Sequence, residues 1–305
     1  MKKCIVFRIA LLFAMLLIYS GTGGTQNQSA PKGFAFNNPS DYNDYPNLHG
    51  GKGIIKYIEG FGQDDFKTNY HFIRMGVIPP KSSIGEYRAV DSEELFIIMS
   101  GLVYVTVNGR TGRITEGTMV PCGMGETIGL YNPTAWNVSF AWIAIVDQKG
   151  KYNTIDSGND LADKNYETPC PFTWIPIEYG NYRTYAKSHA HEGQGFLFNT
   201  LGSTGSYFNK WRAHTIGFSP GSSIGYHRHT VIEEIYFLAS GKARGTVNDV
   251  TMDMQPGDCI ICPLDGEHGM YNNSTDDVLI IFSGLSSIPG RKMEPINLGD
   301  DLTKR

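Results

Sequence analysis

The chain has 305 residues, 41% of them hydrophobic and only 18% charged, with a formal net charge of −4. That length suffices for two domains with sizeable cores. A slightly acidic chain with no basic stretch and no helix-turn-helix segment excludes nucleic acid and anionic membrane surfaces as partners. The 36 glycines, set among β-branched and aromatic runs, point to an all-β protein with many turns.

The first 24 residues read as a secretory signal peptide. Lys2 and Lys3 form a positive start, Ile9 to Tyr19 is an uninterrupted apolar run of 11 residues, and Ser20 to Gly24 are small. The run is too short for a stable membrane span. The expectation is a secreted or periplasmic protein with no membrane attachment once the signal is removed. Cys4 precedes the apolar run and is therefore no lipoprotein cysteine. Export permits disulfides. Cys259 and Cys262 are three apart, however, and on a strand they face opposite sides. With Cys122 and Cys170 they read as small core hydrophobes.

Residues 25–48, rich in Asn, Gly, Pro and Asp, read as an exposed arm. Beyond them the chain repeats itself. Ser82-Ser83-Ile84-Gly85 recurs as Ser222-Ser223-Ile224-Gly225, Glu93-Glu94 as Glu233-Glu234, and Ser100-Gly101 as Ser240-Gly241, all at an offset of 140. Thr106-Val107-Asn108 matches Thr246-Val247-Asn248 at the same offset. So do Gly117, Cys122, Tyr131 and Asn132 with Gly257, Cys262, Tyr271 and Asn272. Units of roughly 110 residues mean duplicated domains rather than a solenoid. The predicted layout is a first domain over 49–162, a connection over 163–190 and a second domain over 191–305. The connection is aromatic-rich (Tyr166, Phe172, Trp174, Tyr179, Tyr182) and is expected to pack on the domains. Each unit reads as short strands separated by turns, such as Leu95–Met99 and Leu102–Val107 across Ser100-Gly101.

The second unit carries ligand-type residues at suggestive spacing. His227 and His229 are two apart, so on a strand they share one face. Glu234 follows at the start of an apolar strand, and Gly241 ends it. A second block runs from Gly257 through Pro263-Leu264-Asp265-Gly266 to His268 and Asn272. These two blocks resemble the paired motifs of the cupin family. The resemblance covers about 49–161 and 191–302 and implies two tandem jelly-roll β-barrels. It implies a divalent metal held by His227, His229, Glu234 and His268. The donor set suits manganese, iron(II), zinc or nickel, and the resemblance favours Mn(II) or Fe(II), one ion per chain. It also implies a homodimer.

The first unit has Tyr87, Ala89, Glu94 and Ile128 at those four positions. One carboxylate does not hold such an ion against water. The first barrel is therefore expected to be metal-free and structural, with Glu94 either protonated or paired with Tyr87.

Three residues are candidates for chemistry beside the ion. Tyr236, two after Glu234, shares its face; Arg212 and His214, on the preceding strand, offer a cation and a proton carrier. Glu233 faces away from Glu234 and reads as a surface carboxylate. Arg228 reads as structural, as do Tyr271, Asn272 and the turn residues His49 and His191. The functional expectation is a metalloenzyme acting on a small oxygen-rich molecule: an organic acid, sugar or phenolic. Dioxygenase, decarboxylase, lyase and isomerase chemistry all fit this scaffold. A non-enzymatic binding protein and a structural or storage protein are the alternatives.

Overall fold

The computed structural model describes residues 30–162, 164–177, 183–185, 193–201, 211–288 and 294–305. The signal-peptide expectation over 1–24, Tyr179, Tyr182 and His191 lie outside them. Helix among the described residues is confined to three-residue 3-10 turns, and the strands pair antiparallel, with one isolated parallel bridge between Gly112 and Glu167. The all-β expectation holds.

Two barrels form, each from two sheets. The first joins a six-stranded sheet, Asn43–Pro46 through Met119–Cys122, to a five-stranded one that includes Ser83–Ala89 and Thr127–Tyr131. The second joins a seven-stranded sheet to a five-stranded one that includes Ser223–Arg228 and Glu267–Tyr271. The repeat extends to register. Glu94 faces Cys122 across its ladder and Glu234 faces Cys262; Tyr87 faces Ile128 and His227 faces His268. Gly101 and Gly241, at φ +89° and +82°, supply the left-handed turns that end the Glu94 and Glu234 strands.

The two large sheets pack face to face. Leu95 and Ile97 point into a shared core with Ile235 and Phe237, whereas Phe96, Ile98, Tyr236 and Leu238 point into their own barrels. Both faces of these strands are buried, which is why the sequence reads there as continuous apolar runs. Cys259 joins the shared core and Cys262 the interior of the second barrel. Both are free thiols on opposite faces, as the three-residue spacing requires.

The described part of the arm, residues 30–48, is not simply exposed. Phe34–Ala35 pairs with Ile260 and Cys259 of the second barrel, and Asn43–Pro46 pairs with Ile54–Tyr57 of the first. Phe34 and Ala35 are buried. The physical reason is the open edge of strand Cys259–Cys262, whose unpaired amides and carbonyls need a partner. The connection does the same in reverse: Ile175 bridges to Met119, on the edge of the first barrel. Ala35 and Ile175, and likewise Met119 and Cys259, are 140 apart. Each barrel therefore has its edge closed by the segment that leads into the other. Of the remaining connection aromatics, Phe172 packs on the first barrel's core, while Tyr166 and Trp174 stay exposed.

Candidate metal centre

His227 lies on strand Ser223–Arg228, with His229 just beyond its end, and Glu234 lies on strand Ile232–Ser240. His268 stands directly opposite His227 on strand Glu267–Tyr271. The pleat sends His227 and His229 to the same side, and the ladder brings His268 beside them. One ligand atom from each of the four residues lies within 4.8 Å of all the others. Nε2 of His268 is 2.9 Å and Nε2 of His229 is 3.2 Å from the Glu234 carboxylate, with Nε2 of His227 at 4.0 Å. All four are buried, at 0%, 3%, 4% and 1% exposed for His227, His229, Glu234 and His268.

This donor set fits a divalent transition metal. His227 supports the fit through its outer nitrogen. Nδ1 stands 2.7 Å from the Gly225 carbonyl and donates to it, which leaves the Nε2 lone pair facing the cluster. Electrostatics point the same way. Burial pushes the Glu234 carboxyl up, but the charge of His229, the His268 hydrogen bond and the charges of His268 and His227 outweigh it. The group is held below the usual carboxylate range. Burial lowers the pKa of His229, with Glu234 pulling it back up, so its imidazole is neutral and a competent ligand at neutral pH. Cys262, opposite Glu234, has its thiol pushed well up by burial and by the Glu234 charge; it stays protonated and packs as an apolar group.

The three neighbours proposed from sequence fall at different depths. Tyr236 is in the cluster: its hydroxyl donates to Glu234 at 3.0 Å, and its ring centroid is 5.6 Å from that of His268. His214 is one layer away, stacked on Phe282 at 5.3 Å, and Phe282 in turn packs on Tyr236 at 5.8 Å. Arg212 is exposed. Register explains this gradation. Across three strands Arg212, Gly284 and Glu234 form one row, and His214, Phe282 and Tyr236 the next. A Cβ at Gly284 would stand 2.6 Å from Cζ of Phe282 and 2.6 Å from Cδ1 of Ile232. Those two apolar groups fill the row between Arg212 and Glu234 and wall the cluster. Sequence reasoning missed both; the lone glycine within the apolar strand Val278–Ser286 was the available signal.

Glu233 corrects a sequence expectation. It is a fully buried carboxylate in the contact between barrels, not a surface group. It does face away from Glu234, but the opposite face of this strand is the shared core. Arg228 is half-buried beside Glu267 in the ladder. Asn272 is a turn residue, its amide donating to the carbonyls of Phe218 and Asp276. His49 sits in a turn, its ring on Tyr87 at 3.9 Å and its Nδ1 2.7 Å from Asp156.

The equivalent place in the first barrel is plugged. The Glu94 carboxylate accepts from the Tyr87 hydroxyl, from Trp142 Nε1 at 2.8 Å, from Tyr152 at 2.9 Å and from Ser92 at 3.2 Å. Burial raises its pKa against the pull of these donors. Glu94 is thus paired with Tyr87, and Trp142 and Tyr152 complete a shell that sequence reasoning did not include. Ala89 and Ile128 line the apolar interior.

Residues 214–284 match the family model of the cupin domain. No curated protein sequence matches the chain. Among solved structures, a point mutant of Bacillus subtilis oxalate decarboxylase is similar over 85% of this chain and 78% of its own, with a TM-score of 0.58 at 15% identity. A point mutant of salicylate 1,2-dioxygenase from Pseudoaminobacter salicylatoxidans, in complex with gentisate, is similar over 75% and 72%, with a TM-score of 0.58 at 13% identity. The coconut allergen cocosin is similar over 80% and 85%, with a TM-score of 0.60 at 12% identity. At these identities the likeness is one of fold. Taken with the internal repeat, it shows two tandem barrels of the cupin fold, the second of which matches the cupin domain family over residues 214–284.

Proposed function

We propose that the protein is an exported metalloenzyme acting on a small organic acid, with one divalent ion in the second barrel. The observation that carries this reading is the buried convergence of three imidazoles and one carboxylate on a single point. A structural role alone leaves such a cluster costly, because buried ionisable groups without an ion must be desolvated for little return. His227, His229, Glu234 and His268 would hold the ion. Once bound, it would polarise a substrate oxygen or bind dioxygen, with Mn(II) or Fe(II) favoured by the family resemblance. Tyr236 fixes the Glu234 carboxylate and carries the hydroxyl proton nearest to it. Phe282 and Ile232 keep water from the cluster, and His214 stands behind Phe282 as a proton carrier further out.

An organic acid is the substrate class the comparisons support, since two similar structures carry the names of enzymes acting on oxalate and on salicylate. Arg212 stands at the exposed end of the same ladder row as Glu234, beyond the Phe282 and Ile232 groups that fill it, and offers a counter-charge at the surface rather than beside the ion. Export rests on the N-terminal 24 residues.

The test is metal analysis of the purified protein, prepared without chelators, beside a His227→Ala, His268→Ala double variant. Dicarboxylates and hydroxybenzoates would then be assayed for carbon dioxide release and oxygen uptake. About one Mn or Fe per chain, absent from the double variant, with turnover of one acid, is the expected result. No metal above the level of the variant after reconstitution would refute the reading.

A further inference from the structure

Glu233 and Glu234 are consecutive on one strand and point in opposite directions. Glu234 enters the second barrel and meets the three histidines. Glu233 crosses into the first barrel, where its fully buried carboxylate accepts from the backbone N–H of Lys67 at 2.8 Å, the backbone N–H of Thr68 at 2.6 Å and the Thr68 hydroxyl. A second polar tie lies on the neighbouring strand. The Tyr70 hydroxyl and Ser283 Oγ are 2.9 Å apart, and Trp211 Nε1 donates to the same oxygen at 2.8 Å. Ser283 precedes Gly284, which is the residue opposite Glu234. The segment Lys67–Tyr70 of the first barrel therefore grips the strand that carries Glu234 and the strand that holds Gly284 opposite it.

Apolar packing alone would hold two such sheets together, and it tolerates small slides. A buried carboxylate does not, because a slide of an ångström leaves it short of donors at considerable cost. Metal ligation needs ligand atoms placed to a few tenths of an ångström. An ion pair or charged hydrogen bond retained in an otherwise apolar interface is best attested as a device for register.

We propose that Glu233, Thr68 and Tyr70 are positioning residues for the metal ligand Glu234, so that the first barrel, lacking a ligand set of its own, aligns the ligand strand of the second. The proposal rests on the metal reading above. Thr68→Val keeps the shape and the backbone donors and removes one hydrogen bond, so folding survives it. Glu233→Gln keeps the size but sets an amide against N–H donors.

The experiment measures the Mn(II) dissociation constant of the full-length protein by chelator competition. The electron paramagnetic resonance line shape of bound Mn(II) and the melting temperature of the metal-free form are read alongside. Thr68→Val and Glu233→Gln are expected to weaken Mn(II) binding about 10- to 100-fold, the range for residues that orient metal ligands, and to broaden the Mn(II) signal. Thr68→Ser, which restores the hydroxyl, is expected to bind as the wild type does. Thr106→Val, which removes the buried Thr106–Thr111 hydrogen bond in the other sheet of the first barrel, lowers the melting temperature and leaves affinity unchanged. Affinities within twofold of wild type and an unchanged signal in Thr68→Val and Glu233→Gln would overturn the proposal, whatever their melting temperatures. A wild-type protein that binds no Mn(II), Fe(II) or Zn(II) would overturn the metal reading together with it.

Discussion

Glu94 and Glu234 occupy one position in two copies of the same barrel, each facing a buried cysteine across its ladder, and their acidities move in opposite directions. Both are buried. Glu94 is surrounded by neutral donors, two phenols, an indole and a hydroxyl, which do not offset burial. Glu234 is surrounded by imidazoles, which do. The difference between a plugged barrel and a candidate metal centre comes down to whether the shell around one carboxylate can carry charge.

The plugged barrel makes a prediction of its own. Glu94→Ala leaves the Trp142 N–H and three hydroxyls facing a void and is expected to cost about 3 kcal/mol of stability. Glu94→Gln is expected to cost well under half of that, since the tyrosine and serine hydroxyls can turn to accept from the amide. Because the folded pKa of Glu94 lies above its unfolded value, its contribution is full below the ordinary 4.5 and is lost as pH rises through the raised value. Denaturant unfolding at pH 5 and pH 8 should show Glu94→Gln gaining on the wild type as pH rises. A constant gap between them would refute the assignment.

Much of this was legible in the sequence, and the reason is periodicity. Strand pleat alone puts His227 and His229 on one side, and the 140-residue offset places Glu94, Tyr87 and Ile128 opposite Glu234, His227 and His268. Glu233 shows where that reasoning stops. Pleat sends it away from the ligand face, yet whether the other face meets water or a second barrel is a fact of domain packing that no local pattern carries. The arm is the same case: nothing near Phe34 says that the open edge it closes lies at Ile260. Phe282 was hidden for another reason, since its ring leans along the strand over Gly284 rather than standing above its own position.

Tyr236 links the cluster to its wall. Tyr236→Phe removes the hydroxyl that donates to Glu234 but keeps the ring between His268 and Phe282. Stability should fall by only about 1 kcal/mol, as for a typical buried hydrogen bond. Metal affinity should fall about tenfold, because the carboxylate loses the partner that orients it. Calorimetric metal titration of the variant, beside its thermal unfolding, measures both. An unaltered affinity would make Tyr236 a packing residue only.

Acid should act on the metal-free cluster in one direction. The folded pKa of Glu234 lies below its ordinary 4.5, so its stabilising contribution is present at neutral pH and is lost as pH falls toward the folded value. His229 has a folded pKa below its ordinary 6.5, so protonation favours the unfolded chain as pH falls past that value. Both effects have the same sign. The melting temperature of the metal-free protein should drop below pH 6.5 through His229 and continue to drop below pH 4.5 through Glu234, and His229→Gln should remove the upper part of that drop. Metal binding, which needs neutral imidazoles, should weaken over the same interval.

The exchanged edges predict a fault that appears far from where it is introduced. Phe34 precedes the first barrel in sequence but is buried in the core of the second, beside Ile260. Phe34→Ala is therefore expected to destabilise the second barrel by about 3 kcal/mol, the usual cost of truncating a buried phenylalanine. Amide exchange locates the damage. Protection should fall along Cys259–Cys262 and the neighbouring strand Ile232–Ser240, while Met119–Cys122 of the first barrel, whose edge is closed by Ile175 instead, keeps its protection. Loss confined to the first barrel would contradict the exchange, and equal loss in both would mean that the two barrels open as a single unit.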